Sequence, residues 1–246
     1  MGLAGLSIAM FGASANAEVE SEFTVGYHSE YVFRGASIGE DMMDFALDFA
    51  GTGYCDFDWS AGIWFGSWDP NDLDPDPDED FYDYEDELNI YGGISRTFNC
   101  VTLELGFIRY IFIDDNGAGN TELYFSASTE FNNFGLGATV YYNVDAERDS
   151  STSTGDVYAD ITATYGFDFT DTLSGEFGAM VGFYDRDNDI SEDDGYAHWG
   201  AYLSLSQQIS DCITLTPYIS YVDNDDDYNS EDDDLFYGGL RATYSF

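Results

Sequence analysis

Lysine is absent from this chain of 246 residues, and its six arginines face 49 aspartates and glutamates, for a formal net charge of −43. That balance excludes ordinary electrostatic binding of nucleic acid, which needs clustered cations to neutralise phosphates. Proline is rare and histidine occurs twice. Three cysteines, Cys55, Cys100 and Cys212, have no C-x-x-C spacing, which weighs against a thiolate metal site. Beyond the N-terminus no apolar run reaches about 18 residues, so no helical membrane anchor is expected in the mature chain. Helical periodicity hardly occurs anywhere in the chain.

What is abundant is aromatic residues, at 18% of the chain, together with glycine. The start, "MGLAGLSIAMFGASANA", is apolar and then small, and ends in the A-x-A-like site Ala15-Asn16-Ala17 ahead of Glu18. It reads as a secretory signal over residues 1–17, without the basic residue that usually precedes the apolar run. The mature chain is therefore expected to be exported and to meet oxidising conditions.

Period-2 alternation recurs along the whole mature chain. In "EFTVGYHSEYVFRG" one face carries Phe23, Val25, Tyr27, Tyr31 and Phe33, and the other Thr24, Gly26, His28, Glu30 and Arg34, with Val32 the exception. In the next run Met43, Phe45, Leu47 and Phe49 oppose Asp44, Ala46, Asp48 and Ala50. Such runs fall at 22–35, 42–51, 56–67, 84–93, 101–112, 121–130, 134–143, 156–166, 173–184, 196–207, 212–222 and 235–246. Their length, near ten residues in most cases, suits a tilted strand crossing a bilayer and exceeds the usual strand of a soluble sheet.

The connections alternate in character. "ASIGED", "WDPNDLDPDPDEDFYD", "IDDNGAGN", "VDAERDSSTSTG", "DRDNDISEDDG" and "DNDDDYNSEDDD" are long or strongly acidic. Between them come "TGYC", "SRTFNC", "FNN", "DFTDT" and "ISD". Short turns at one end and long loops at the other describe an all-β, antiparallel, up-and-down transmembrane barrel of the bacterial outer membrane, with periplasmic turns and acidic extracellular loops. Aromatic residues collect near strand ends as two interfacial belts would. Tyr31, Phe33, Trp68, Tyr142, Phe183, Tyr196 and Phe236 sit near the long loops. Tyr54, Phe57, Phe98, Phe131, Phe134, Phe167, Tyr244 and Phe246 sit near the short turns. A soluble sandwich needs neither uniform strand length nor sorted loops. The barrel is read as one domain over residues 18–246.

In such a barrel the polar face lines the lumen. The expected lining is His28, Glu30, Arg34, Asp44, Asp48, Asp58, Glu85, Glu87, Glu104, Asp160 and Glu176, with Arg109 and Arg241 also inward. A guanidinium among carboxylates is favoured and binds two oxygens at once. Arg34 is thus expected either to balance charge in the lumen or to act as a selectivity element.

"SEYVFRGASIG" resembles the N-terminal signature of the proteobacterial porins labelled the TorF family, in which S-x-Y-V-F-R-G-x-S follows the signal peptide. "SAGIWFGSWD", "YEDELNIYGGIS", "LELGFIRYIF" and "TELYFSAS" agree with that family in order. The final "LRATYSF" looks like the aromatic-ended strand that many outer-membrane barrels present to the barrel-assembly machinery. The resemblance implies a channel. The extreme acidity and the cysteines depart from the family's usual pattern.

The acidic loops have carboxylates at alternate positions, with Asp185, Asp187, Asp189, Asp223, Asp225 and Asp227 as metal candidates. Neither run is an EF-hand, because positions six and twelve hold Ile190 and Tyr196 in one and Tyr228 and Asp234 in the other. The expectation there is a solvated, salt-screened surface, with loosely bound Ca2+ or Mg2+ as the alternative. His198 follows Asp193 and Asp194, a pairing that activates water in some hydrolases, but no serine motif accompanies it. A Cys55–Cys100 disulfide would have to bridge strands separated by a third.

The functional expectation is passive diffusion of ions or small solutes with a preference for cations. No cofactor is called for. The expected surroundings are outer-membrane lipid and lipopolysaccharide. The alternatives are a non-conducting barrel whose acidic loops bind divalent cations or a surface partner, and a barrel hydrolase using His198.

Overall fold

A computed structural model describes residues 19–53, 56–70, 85–113, 119–146, 153–186, 195–225 and 234–246. The segment read as a signal, residues 1–17, and Tyr54, Cys55, Asp187, Asp189 and Asp227 lie outside the described residues. Twelve strands form one closed barrel: β1 (Glu20–Phe33), β2 (Ala36–Thr52), β3 (Asp58–Pro70), β4 (Glu85–Phe98), β5 (Val101–Phe112), β6 (Asn120–Phe131), β7 (Phe134–Ala146), β8 (Val157–Thr170), β9 (Leu173–Asp185), β10 (Gly195–Ser210), β11 (Ile213–Asn224) and β12 (Asp234–Ser245). Each strand is antiparallel to the next, and β1 pairs with β12 to close the ring.

Alternation is the cause of this shape. On β6, Leu123 and Phe125 are exposed on the outer wall, while Glu122 and Tyr124, alternating with them, are buried inside. A sheet with one apolar and one polar face satisfies both lipid and lumen only by closing on itself. The strands run from 12 to 17 residues, longer than the ten-residue expectation, because the ladders continue past the apolar band.

Two-residue turns join four of the hairpins at the short-turn end: Asn99-Cys100, Asn132-Asn133, Asp171-Thr172 and Asp211-Cys212. Asn99 and Asn132 have φ of 59° and 54°, a region that asparagine tolerates better than most residues. Cys100 and Cys212 are free thiols here.

Inside, glycine makes room for large rings. A Cβ on Gly62 would lie 2.5 Å from the Tyr91 ring, and one on Gly106 would lie 2.4 Å from Tyr124. Each ring occupies the space above its register partner, the glycine on the neighbouring strand.

One connection differs from the sequence-based expectation. "ASIGED" is not a loop. β2 already starts at Ala36, and a two-residue turn of Arg34 and Gly35 joins it to β1. Pairing of β1 with β12 stops at His28 and pairing of β2 with β3 stops at Gly39, so the hairpin beyond these points leaves the wall. Tyr31 packs on Trp64 and Trp68 of β3, and Phe33 on Tyr110 of β5. Val32 packs with Tyr218, Val222 and Tyr237 of β11 and β12. Both faces of the hairpin are thus buried: it is a tongue folded into the lumen. This explains why Val32 broke the alternation, and it corrects the placement of Tyr31, Phe33 and Trp68, which belong to the interior and not to the outer belt. Tyr142, Phe183, Tyr196 and Phe236 do face outward near the long loops, as do Phe57, Phe98, Phe131, Phe134, Tyr244 and Phe246 near the short turns.

Candidate functional site

The lumen has two layers. Nearer the short turns, three carboxylates stand around the wall, each held by a tyrosine from the next strand or the next but one. The Tyr91 hydroxyl donates to Asp48 at 2.5 Å, Tyr124 donates to Glu104 at 2.6 Å, and Tyr202 donates to Glu176. A phenol donor orients a carboxylate without neutralising it. The wall between is hydroxyl-rich: Thr24 bonds Thr243 and Ser206 bonds Thr216, each at 3.1 Å. Asp58 is half-buried at the start of β3, on the same inward phase as Trp64.

The second layer is drier and lies toward the long loops. The Asp44 carboxylate takes His28 Nε2 at 3.1 Å on one oxygen and the Trp64 indole N–H at 2.8 Å on the other. His28 Nδ1 meets the Tyr218 hydroxyl at 2.5 Å, so one chain of contacts links β2, β1 and β11 across β12. Glu87 accepts from Asn89 at 2.6 Å and from Tyr31 at 3.2 Å. Four tyrosines face one another in register on adjacent strands: Tyr124, Tyr141, Tyr158 and Tyr184. Their rings stand about 6 Å apart, at 5.9, 5.9 and 6.0 Å between centroids. Tyr158 also bonds His198 Nε2 at 2.9 Å, and Asp160 is buried one layer below it.

Into this layer projects Arg34, 3% exposed. Its Nη2 donates to Glu122 at 2.7 Å, and the Tyr110 hydroxyl reaches the same carboxylate oxygen at 3.1 Å. The guanidinium lies 4.4 Å from the Tyr158 ring centroid and 5.1 Å from that of Tyr141. Asn224 donates to the Gly35 carbonyl at 2.9 Å. The tongue tip therefore touches β6 to β8 across the lumen and β11 close to its own root.

His28, Asp44, Asp48, Asp58, Glu104, Asp160, Glu176 and Arg241 take the inward side, Arg241 lying over the Tyr218 ring at 5.4 Å. Arg34 is inside by way of the tongue and not the wall. Glu30 sits half-buried at the tongue's root, where Ser37 donates to it. Glu85 is exposed at the start of β4. Arg109 is a correction. It shares the phase of the exposed Leu105 and Phe107, and it meets Thr121 at 3.1 Å and Asp145 at 3.8 Å on the outer wall. A partner carboxylate at the rim, rather than the lumen, satisfies its charge.

The lumen tyrosines and Glu122 were not singled out from the sequence. A signal exists: tyrosine tends to share phase with the carboxylates, as Tyr91 does with Glu87 and Tyr124 with Glu122, while phenylalanine shares phase with leucine and isoleucine. Among the metal candidates, Asp185 is exposed, and Asp223 accepts from the Trp199 indole at 2.6 Å. Asp225 donates its backbone N–H to the Ala197 carbonyl at 2.9 Å. No cluster of three His, Cys, Asp or Glu side chains suited to a metal occurs among the described residues.

Solved structures with this architecture are outer-membrane barrels. An outer-membrane channel from Pseudomonas putida F1 aligns with a TM-score of 0.61 at 10% identity, over 98% of this chain and 100% of that one. The NanC porin aligns at 0.52 and 16% identity, over 92% and 98%. LpxR from Salmonella typhimurium aligns at 0.55 and 9% identity, over 92% and 99%. At such identities the likeness speaks for the fold. No curated protein sequence matches the chain. A family model described as "Bacterial protein of unknown function (Gcw_chp)" matches residues 12–238, and the chain belongs to that family.

Proposed function

We infer that the protein is an outer-membrane channel for passive diffusion of ions or small solutes, with a preference for cations. The observation that carries this reading is the ring of Asp48, Glu104 and Glu176, each fixed by a tyrosine inside a closed barrel. Rings of fixed carboxylates favour cation entry because their field is least screened in a narrow, low-dielectric passage. The motif at residues 29–37, similar to that of the TorF porins, and the channel neighbours support the same reading. Export by the N-terminal segment, recognition of the C-terminal strand by the assembly machinery, and residence among lipopolysaccharide with loop-bound Ca2+ or Mg2+ belong to it.

The test is the reversal potential of refolded residues 18–246 in a planar bilayer under a potassium chloride gradient. Openings with a cation-selective potential are expected. Joint replacement by Asp48→Asn, Glu104→Gln and Glu176→Gln should move that potential toward zero while conductance persists. Anion-selective openings, or a potential unmoved by the triple replacement, would overturn the mechanism.

A further inference from the structure

The tongue carries a feature that a plain stretch of wall does not need. Its tip residues Arg34 and Gly35 both have positive φ, 51° and 93°. The other described non-glycine residues with positive φ are Asp41, Asp56, Asn99 and Asn132, the side-chain types that tolerate this region. Arg34 stands apart as a long cation in a conformation that disfavours it, and such a residue persists where the surroundings over-determine it. Those surroundings are β6 to β8 across the lumen and β11 beside the tongue's own root. Glu122 holds the guanidinium at 2.7 Å, Tyr158 and Tyr141 flank it, and Asn224 holds the next carbonyl.

The root is built differently. Wall pairing of β1 with β12 ends at the His28–Gly239 pair. The β1–β2 register shifts between Tyr31 and Val32, and the β2–β3 register shifts between Glu40 and Met43, where Asp41 has φ 51°. Past that shift β2 still pairs with β3 at Glu40–Asp69 and Gly39–Pro70, so the β2 leg leaves the wall only beyond Gly39, and each leg carries a break in its ladder within a few residues of its departure. Such bulges let a strand bend without unravelling the sheet on either side.

We propose that this tongue is the gate of the channel and that the Arg34–Glu122 ion pair is its latch. Shut, the tip fills the lumen toward the long loops; open, it swings toward the mouth about the two irregular roots. The proposal rests on the channel reading above. The latch is conditional in a way that an apolar plug is not. A paired guanidinium is tolerated in a dry site, whereas an unpaired one is strongly disfavoured there and returns to water. Loss of the Glu122 charge therefore expels the tip instead of leaving it in place.

Single-channel recordings of the full mature chain decide this, beside Glu122→Ala, Arg34→Asn and a form lacking residues 32–37. Arg34→Asn keeps a residue that accepts the left-handed turn. Heat-modifiable migration in detergent gels verifies that each barrel is folded. The wild type is expected to stay shut for most of the record. Either latch variant should raise the open fraction at least about tenfold, and the deletion should give steady, larger conductance. If latch variants and deletion conduct as the wild type does, the gate is overturned and the channel stands. If every form inserts folded and none passes current, the channel reading fails and takes the gate with it. Should the deletion not fold, an unchanged open fraction in both latch variants overturns the gate.

Discussion

At the scale of single residues, position relative to the wall decides what a side chain is worth. Gly239 of β12 lies beneath the His28–Tyr218 contact that straddles the closing seam. A Cβ there would stand 2.5 Å from the Tyr27 backbone carbonyl oxygen and 2.7 Å from the Tyr218 ring. Backbone cannot yield as a flexible side chain does, so Gly239→Ala should destabilise the barrel by about 1–3 kcal/mol. Urea unfolding in lipid vesicles measures this. Arg109 offers the contrast. It meets Asp145 at 3.8 Å on the outer wall, with a quarter of its side chain, 26%, still exposed. Arg109→Ala should change stability by no more than about 1 kcal/mol and leave the reversal potential where it was. A shift in ion selectivity would mean that Arg109 reaches the lumen after all.

At the scale of elements, turns and ladders set the barrel's weak and strong points. Asn132 holds φ 54° in a two-residue turn. Asn132→Ala should cost about 1 kcal/mol, and Asn132→Gly far less, because only the alanine Cβ strains the left-handed turn. Equilibrium unfolding of the pair checks the difference. β11 contains Pro217, whose ladder with β12 continues through the Pro217–Leu240 pair. On the β10 side the ladder breaks, pairing Ser204 with Tyr218 and resuming only at Gln207 with Leu215. The missing proline N–H accounts for the gap, and the Ser206–Thr216 hydroxyl contact spans it at 3.1 Å. Pro217→Ala supplies that donor and should stabilise the barrel by about 1 kcal/mol. Amide exchange at position 217 reports whether the new N–H is protected.

At the scale of the whole molecule, the dominant quantity is the net charge of −43. In the proposed cation-preferring channel, carboxylates in the lumen would act at contact range and the acidic stretches of the sequence between strands at a distance through water. Raising ionic strength from 0.1 to 1 M shortens the screening length from about 10 Å to about 3 Å. The loop contribution to cation preference should fade over that range, and a residual preference set by Asp48, Glu104 and Glu176 should remain. Reversal potentials at fixed gradient and increasing total salt separate the two. A preference that vanishes completely at high salt would assign all selectivity to the loops.

Much of this architecture is written in the order of residue types. Phe23, Val25 and Tyr27 against Thr24, Gly26 and His28 specify a strand with one lipid face, and a chain of such strands with sorted connections has to close. The inward side of Asp44, Asp48, Glu104 and Glu176 follows from the same alternation, because a strand has only two faces. What alternation cannot encode is departure from the wall. Inside the lumen Tyr31, Val32 and Phe33 are all covered, so the period of two loses its meaning where the tongue begins. The pairing of Arg34 with Glu122, 88 residues away, likewise exists only once the ring has closed and brought β6 opposite the β1–β2 turn. Local sequence determined the strands and their faces, since those depend on neighbours one or two residues apart. The tertiary structure decided which side chains meet across the lumen, since that depends on closure, on the height of each residue along its strand, and on where the backbone turns inward.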